Sequence, residues 1–231
     1  MGKKIIVISL GGSLIIPNKI NNILLEDFKK IIIKNSKKYK FIIVCGGGQT
    51  ARNYIKGLDD QKTKRKEIFQ SYLGIGSTRL NARFMTYFFD EDVNERIPMD
   101  MKEIKGLLRK HKFVFCGALR YSPNQTSDST AAKLAHYFKT DFINLTNVKG
   151  LYDKNPKKFR SAKFIPEISH KDFLTMAKKV EFKPGQHFAL DQTAAKVIKK
   201  YNITTYIAGT DLKNLDKILN NKHFIGTMIS S

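Results

Sequence analysis

Ile5 to Leu10 is an apolar run of strand length that stops at Gly11-Gly12-Ser13, and Phe41 to Cys45 is a second that stops at Gly46-Gly47-Gly48. Apolar runs of this kind are buried on both faces, as in a parallel sheet covered by helices on each side. The intervals carry helical spacing. Asn22 to Asn35 sets Leu24, Leu25, Phe28, Ile31 and Ile32 on one face, and TARNYIKGL begins a helix after Gln49. A Lys-rich exposed link, Gln61 to Glu67, precedes helical patterns over Ile68 to Phe89 and Met99 to Arg109, and Lys112 to Cys116 reads as the third strand. After a polar loop from Gly117 to Thr126, Ser127 is expected to cap the helix SDSTAAKLAHYF, with Asp128 suited to the positive end of its dipole. Asp141 to Thr146 is the fourth strand, followed by the turn NVKG. Leu151 to Ile168, with two prolines and many lysines, reads as an irregular excursion or hairpin. Ser169 and Asp172 start a helix ending near Lys179; Asp191 to Lys200 and Leu212 to Leu219 are further helices, and Thr204 to Ala208 and Gly226 to Ile229 further strands. The expected fold is α/β: a three-layer sandwich around a mostly parallel central sheet, in one domain spanning 1–231.

The rest of the composition narrows the function. Hydrophobic residues make up 42% of the chain, yet no apolar run reaches the ~18 residues of a membrane span, so no membrane partner is expected. Lys plus Arg number 42 against 20 for Asp plus Glu, a net charge of +22 that favours acidic partners. The lysines are spread through loops and helix faces instead of one basic stripe with interleaved aromatics, so a nucleic-acid interface is not expected. Cys45 and Cys116 each end an apolar run and read as buried, reduced thiols; their number excludes a disulfide framework, and no His/Cys cluster has zinc-ligand spacing. A reducing, cytoplasmic compartment follows. MGKK followed by IIVISLGGSLII imitates a signal peptide, but Gly11-Gly12 interrupts it and no small-x-small site follows, so it reads as a first strand.

Glycines at the ends of strands let backbone N–H groups converge on an anion, and the following helices aim their positive ends at the same place. GGS at 11–13, GGGQTAR at 46–52 and the loop ending in TSDS at 126–129 supply such turns, enough for two phosphate-bearing groups; taken singly, each is also a plain structural turn. GGGQTAR lacks the G-x-G-x-x-G order and no GK[ST] occurs, so hydride transfer and P-loop NTPase chemistry lose support. No G-x-S-x-G elbow is present, and the five histidines show no metal spacing.

The blocks VISLGGSLIIP, VCGGGQTARNYI, YLGIGSTRLNARFM, TSDSTAAKLA, TNVKGLYDKNPKKF and LDQTAAKVI, with IGTMI at the end, resemble in order and spacing the amino-acid kinase superfamily, and within it the uridylate (UMP) kinases of archaeal type. The resemblance covers nearly the whole chain. It implies transfer of the γ-phosphoryl group of ATP to UMP, Mg²⁺ as the accompanying cation, and a homo-oligomer, usually a hexamer. It also implies an acceptor-side lobe over 1–145 and an ATP-side lobe over 146–231. By motif position Gly12, Ser13, Gly48, Arg52, Thr146, Tyr152 and Asn155 resemble the residues against ATP, and Gly47, Ser71, Thr126 and Ser127 those against UMP. Asp128 resembles the family's central aspartate, and Lys196 stands where relatives place a phosphate-neutralising lysine.

Departures from the pattern keep other readings open. Ser9 stands where many relatives carry a lysine that reaches the transferred phosphate, and loss of one such stabiliser typically costs ~10² to 10³ in rate. Ser71 replaces an aspartate directed at the ribose, Lys149 replaces an aspartate near ATP, and the long loop GALRYSPNQTSD carries Arg120 within reach of an acceptor phosphate. A nucleotide-binding regulatory or storage protein that has lost catalysis fits these changes, as does a related kinase with another small acceptor. For single residues the plain alternatives are a helix-cap carboxylate at Asp128, a solvated guanidinium at Arg52, and one more surface lysine at Lys196 beside Lys199 and Lys200.

Overall fold

β1 (Lys4–Leu10) is the spine of the molecule, paired in parallel with β2 (Tyr39–Cys45) on one side and β4 (Phe142–Leu145) on the other. In this computed structural model, which describes residues 3–122, 125–154, 156, 159–179 and 190–231, the main sheet has seven strands. It is completed by β3 (Phe113–Cys116), β7 (Glu167–Ser169), β8 (Thr205–Ala208) and β9 (Thr227–Ser230), in the order β3-β2-β1-β4-β8-β9-β7. β8 and β9 pair antiparallel; the other pairs are parallel. A separate antiparallel hairpin joins β5 (Leu151–Tyr152) to β6 (Phe164–Ile165). The sheet runs without a break past residue 145, because β4 sits between β1 and β8.

Alternation along the strands sorts the apolar runs into two cores. Ile6, Ile8 and Leu10 join Phe41, Ile43 and Cys45 on the face covered by α1 (Gly12–Ile15), α2 (Asn22–Asn35), α4 (Lys66–Phe89) and α9 (Lys213–Leu219). Val7, Ile42, Val44 and Phe142 face α5 (Met101–Lys110), α6 (Ser127–Phe138), α7 (His170–Lys179) and α8 (Gln192–Tyr201). α3 (Gly48–Lys56) lies over α4 at the sheet's carboxyl end. Each large side chain buried in these cores contributes about 1.5–3 kcal/mol of transfer free energy, and the wholly buried Phe28, Phe41, Phe115, Phe142 and Phe173 are the largest of them.

Several sequence expectations are corrected here. Residues 12–15 form one helical turn where only a glycine turn was expected. The cap of α6 is Thr126, not Ser127: Thr126 is extended (φ −115°, ψ 173°) and its hydroxyl accepts from the Ser129 N–H, while Ser127 already has helical geometry. The excursion over 151–168 contains the hairpin, and it also ends in β7, which pairs with β9 at the sheet's edge. Cys45 and Cys116 are free and buried as expected; they fall in opposite cores, and burial pushes both thiols up, Cys116 to about 12.

Gly106 lies inside α5, and a Cβ built there meets nothing within 4 Å. Gly106→Ala is therefore expected to stabilise the protein by about 0.5–1 kcal/mol through helix propensity, read as a higher urea midpoint at unchanged slope.

Candidate active site

The two glycine turns are pressed together at the carboxyl end of the sheet. A Cβ on Gly12 would stand 2.0 Å from Gly48 N and 2.7 Å from Gly46 C, so only glycine permits the approach. Gly48 also takes φ +62°, the left-handed region, with its would-be Cβ 2.4 Å from Gly12 O. The Gly46 N–H donates to Leu10 O at 3.0 Å and the Gln49 N–H to Ile16 O at 3.0 Å, tying the second turn to the first. The Gly11 N–H donates to Leu145 O at 2.9 Å, which brings Thr146 against the same junction. α4 holds this arrangement from the other side: the Asn81 amide donates to Gly46 O at 2.7 Å.

The same helix fixes the loop after β3. Thr78 Oγ1 accepts from the Ala118 N–H at 2.9 Å, and Arg79 donates to Ala118 O and Leu119 O at 3.2 and 2.8 Å. Thr78 and Arg79 lie so close to Gly117 that a side chain there would collide with the Arg79 N–H at 2.7 Å.

Across from α4 the N-termini of α6 and α8 meet. Thr126 caps α6 and its hydroxyl donates to Asp191 Oδ2; Asp191 in turn caps α8, with Oδ1 accepting from the Thr193 and Ala194 N–H groups at 2.7 and 3.0 Å. Two helix dipoles thus point their positive ends into one space. Asp128, in the first turn of α6, accepts from the Ser9 hydroxyl at 2.7 Å. Burial and the neighbouring Asp191 charge push the Asp128 carboxyl up to about 7, against the lowering effect of the Ser9 hydrogen bond.

Between these walls lies a cavity of about 700 Å³. Gly47 and Ala51 floor it, Ser71, Gly74 and Thr78 line the α4 side, and Thr126, Ser127, Asp191 and Lys196 line the side of α6 and α8. The side chains of Lys196, Ser127 and Glu67 make no hydrogen bond or ion pair with another described residue, so the cavity offers a cation and a hydroxyl on the side of α6 and α8 and a carboxylate on the side of α4. Arg120 reaches the rim while paired with Asp100 at 3.2 Å, and Tyr121 packs on Tyr72 with ring centroids 5.3 Å apart.

Of the residues expected to hold the acceptor, Gly47, Ser71, Thr126 and Ser127 all line this cavity; Ser71 is exposed and its hydroxyl donates to Glu67 O at 2.8 Å. Lys196 lines it too, and Asp128 lies behind its α6 wall. On the donor side, Gly12, Ser13 and Gly48 belong to the glycine junction, with Thr146 beside it. Tyr152 is in β5, its ring against Phe164 at 5.3 Å. Arg52 is outside the cavity lining, exposed on α3, with Nε donating to Gln49 Oε1 at 3.0 Å and Nη2 to Pro17 O at 3.5 Å. Lys149 lies against Gly209. Asn155 falls outside the described residues. Asp191, Glu67 and Arg79 are the polar residues that sequence reasoning missed. The one available signal was for Asp191, an aspartate immediately ahead of a helical pattern.

The family model of the amino acid kinase family matches residues 4–209. The uridylate kinase of Archaeoglobus fulgidus is 33% identical over 226 residues, 97% of this chain and 99% of that protein. That of Thermoplasma volcanium is 34% identical over 226 residues, 97% of this chain and 96% of that protein. The crystal structure of the Archaeoglobus fulgidus uridylate kinase superposes with a TM-score of 0.84 at 32% identity, covering 98% of this chain and 100% of that one. The UMP kinase of Ureaplasma parvum, 23% identical, shares the fold at a TM-score of 0.72.

Proposed function

The chain belongs to the amino acid kinase family, and on that premise we propose that it transfers the γ-phosphoryl group of ATP to UMP, giving UDP and ADP. The observation that carries the reading is the contact of the two glycine turns: two phosphate-binding turns packed backbone to backbone put two anions side by side, as a phosphoryl transfer between nucleotides demands. The likeness to uridylate kinases of Archaeoglobus fulgidus and Thermoplasma volcanium over nearly the whole of each chain supports uridylate as the acceptor.

In this reading UMP occupies the 700 Å³ cavity with its phosphate toward Ser127, Lys196 and the N-termini of α6 and α8. Its sugar and base extend along α4 toward Ser71, Glu67 and Tyr121. ATP lies on the other side of the glycine junction, its phosphates against Gly12, Ser13 and Gly48 and its nucleoside toward Thr146 and Tyr152. In this reading the lobe 1–145 carries the UMP nucleoside and the lobe 146–231 the ATP nucleoside, while the phosphates of both lie across the border between the lobes. Arg52 serves the ATP phosphates by turning away from Pro17 O, a bond that is long at 3.5 Å. An oxygen of the UMP phosphate attacks the γ-phosphorus in line, a new P–O bond forms, and the bond to the β-phosphate bridging oxygen breaks with ADP as leaving group. Lys196 and the helix N-termini neutralise the oxygens; Asp128 and Asp191 keep those groups in place. No covalent enzyme intermediate and no dedicated base are needed.

Among the described residues no group of three His, Cys, Asp or Glu could hold a metal. Mg²⁺ typically keeps waters and binds through substrate phosphates; entering with ATP, it would supply neutralisation of phosphate charge. We further read the chain as a cytoplasmic homo-oligomer, a hexamer by its family likeness. Its α4 exposes Leu80 at 59% and Tyr87 at 69%, apolar surface suited to a second copy.

The test is ADP release measured with purified protein, ATP, Mg²⁺ and a panel of UMP, dUMP, CMP, acetylglutamate and carbamate. Turnover confined to UMP is expected. Nucleotide binding with no turnover for any acceptor would instead mark a regulatory or storage protein.

A further inference from the structure

We propose that Ser9 is a positioning residue for this reaction: from the carboxyl end of β1 it holds the Asp128 carboxylate in one orientation behind the acceptor cavity. The inference rests on the phosphotransfer reading above. Ser9 is wholly buried, and the other buried side chains of β1, Ile6, Val7, Ile8 and Leu10, are apolar. A hydroxyl in such a strand is costly to bury unless it is hydrogen-bonded, and its partner is Asp128 Oδ1 at 2.7 Å, 119 residues away in the chain. β1 is paired on both sides, and Ser9 lies in register with Val44 on β2 and Asn144 on β4. Two residues further on, the chain enters the Gly11-Gly12 turn, so Ser9 ties the position of Asp128 to that of the glycine junction.

α6 packs against β1, β2, β4 and α8; the groups that act on the Asp128 carboxyl are Asp191 at the start of α8, by its charge, and Ser9 on β1, by its hydrogen bond. Burial and Asp191 both favour a proton on Asp128; the Ser9 hydroxyl donates to the ionised form and opposes them. A carboxylate turns freely about its terminal torsion unless something pins an oxygen, and Ser9 pins one. Hydrogen bonds to a charged group predict that losing this contact lowers kcat by about 10- to 100-fold with little change in KM.

The experiment compares the natural protein with Ser9→Ala and with the size-matched pair Ser9→Val and Ser9→Thr. The Asp128 carboxyl is followed by ¹³C NMR through a pH titration, its signal identified by its loss in Asp128→Asn, and kcat is measured across the same range. The Asp128 midpoint and the acid limb of the kcat profile should both move to higher pH in Ser9→Ala and Ser9→Val. Both should return to their natural positions in Ser9→Thr. A midpoint unchanged by Ser9→Ala and Ser9→Val would overturn the inference. If the natural protein made no UDP, the phosphotransfer reading would fail, while the NMR midpoint would still decide whether Ser9 governs Asp128.

Discussion

Asp128→Asn should lower kcat by about 10² to 10³ while leaving KM for UMP nearly unchanged, and at the same time make the protein more stable above pH 7. Asparagine matches aspartate in shape and can still accept from the Ser9 hydroxyl, so the architecture survives. What disappears is the charge that orders the surrounding donors when the phosphoryl group is in flight. The stability arm follows from linkage. Folded Asp128 keeps its proton to about pH 7, because burial and Asp191 disfavour the anion, whereas the unfolded chain releases it near ~3.9. Between those pH values the folded state binds more protons, so this group's stabilisation, complete below the unfolded value, is lost as pH rises toward 7. An amide does not titrate, so Asp128→Asn should remove that part of the pH slope. Thermal unfolding from pH 4 to 8 reads the slope and steady-state kinetics the rate; equal turnover in the variant would remove Asp128 from the centre of the site.

Gly12→Ala should be among the most damaging single substitutions in the chain. The added methyl would sit 2.0 Å from Gly48 N, 2.6 Å from Gly48 Cα and 2.7 Å from Gly46 C. Every one of those neighbours is backbone, with no rotamer to turn aside, so the two turns must separate. Overpacking typically costs 1–3 kcal/mol and more where nothing can give, which for a chain of this size lowers Tm by on the order of 10 °C. UDP formation should fall with it, since the junction aligns both anions. Gly106→Ala, the same chemical change in open space, is the natural control. A Gly12→Ala protein with ordinary Tm and turnover would show that the turns are not held in contact.

The layered fold was legible because its signals are local. The apolar runs of β1 and β2 and the helical spacing of α2 each state their own structure, and parallel pairing follows from strands buried on both faces. The cap of α6 was misplaced by one residue because Thr126, Ser127 and Ser129 offer three hydroxyls in four positions, and only the extended backbone of Thr126 decides among them. β7 was lost because three residues behind Pro166 carry almost no periodic signal, and their strand geometry comes from β9, some sixty residues downstream. The site divides in the same way. Its glycines, Asp128 and Lys196 stand in motifs, whereas the bonds that join them are long-range: Ser9 to Asp128, Thr126 to Asp191, and Arg79 to the carbonyls of Ala118 and Leu119. Sequence spacing places a residue on an element; it does not say which distant element will face it.

The most direct measurement is a crystal structure with UMP and a non-hydrolysable ATP analogue bound together. The UMP phosphate should lie beside Ser127 and Lys196, with the terminal phosphate of the analogue against Gly12 and Ser13 across the Gly46–Gly48 turn, its phosphorus in line with an acceptor oxygen. Nucleotides lodged in separate places, with residues 11–13 and 46–48 touching neither phosphate, would contradict the account.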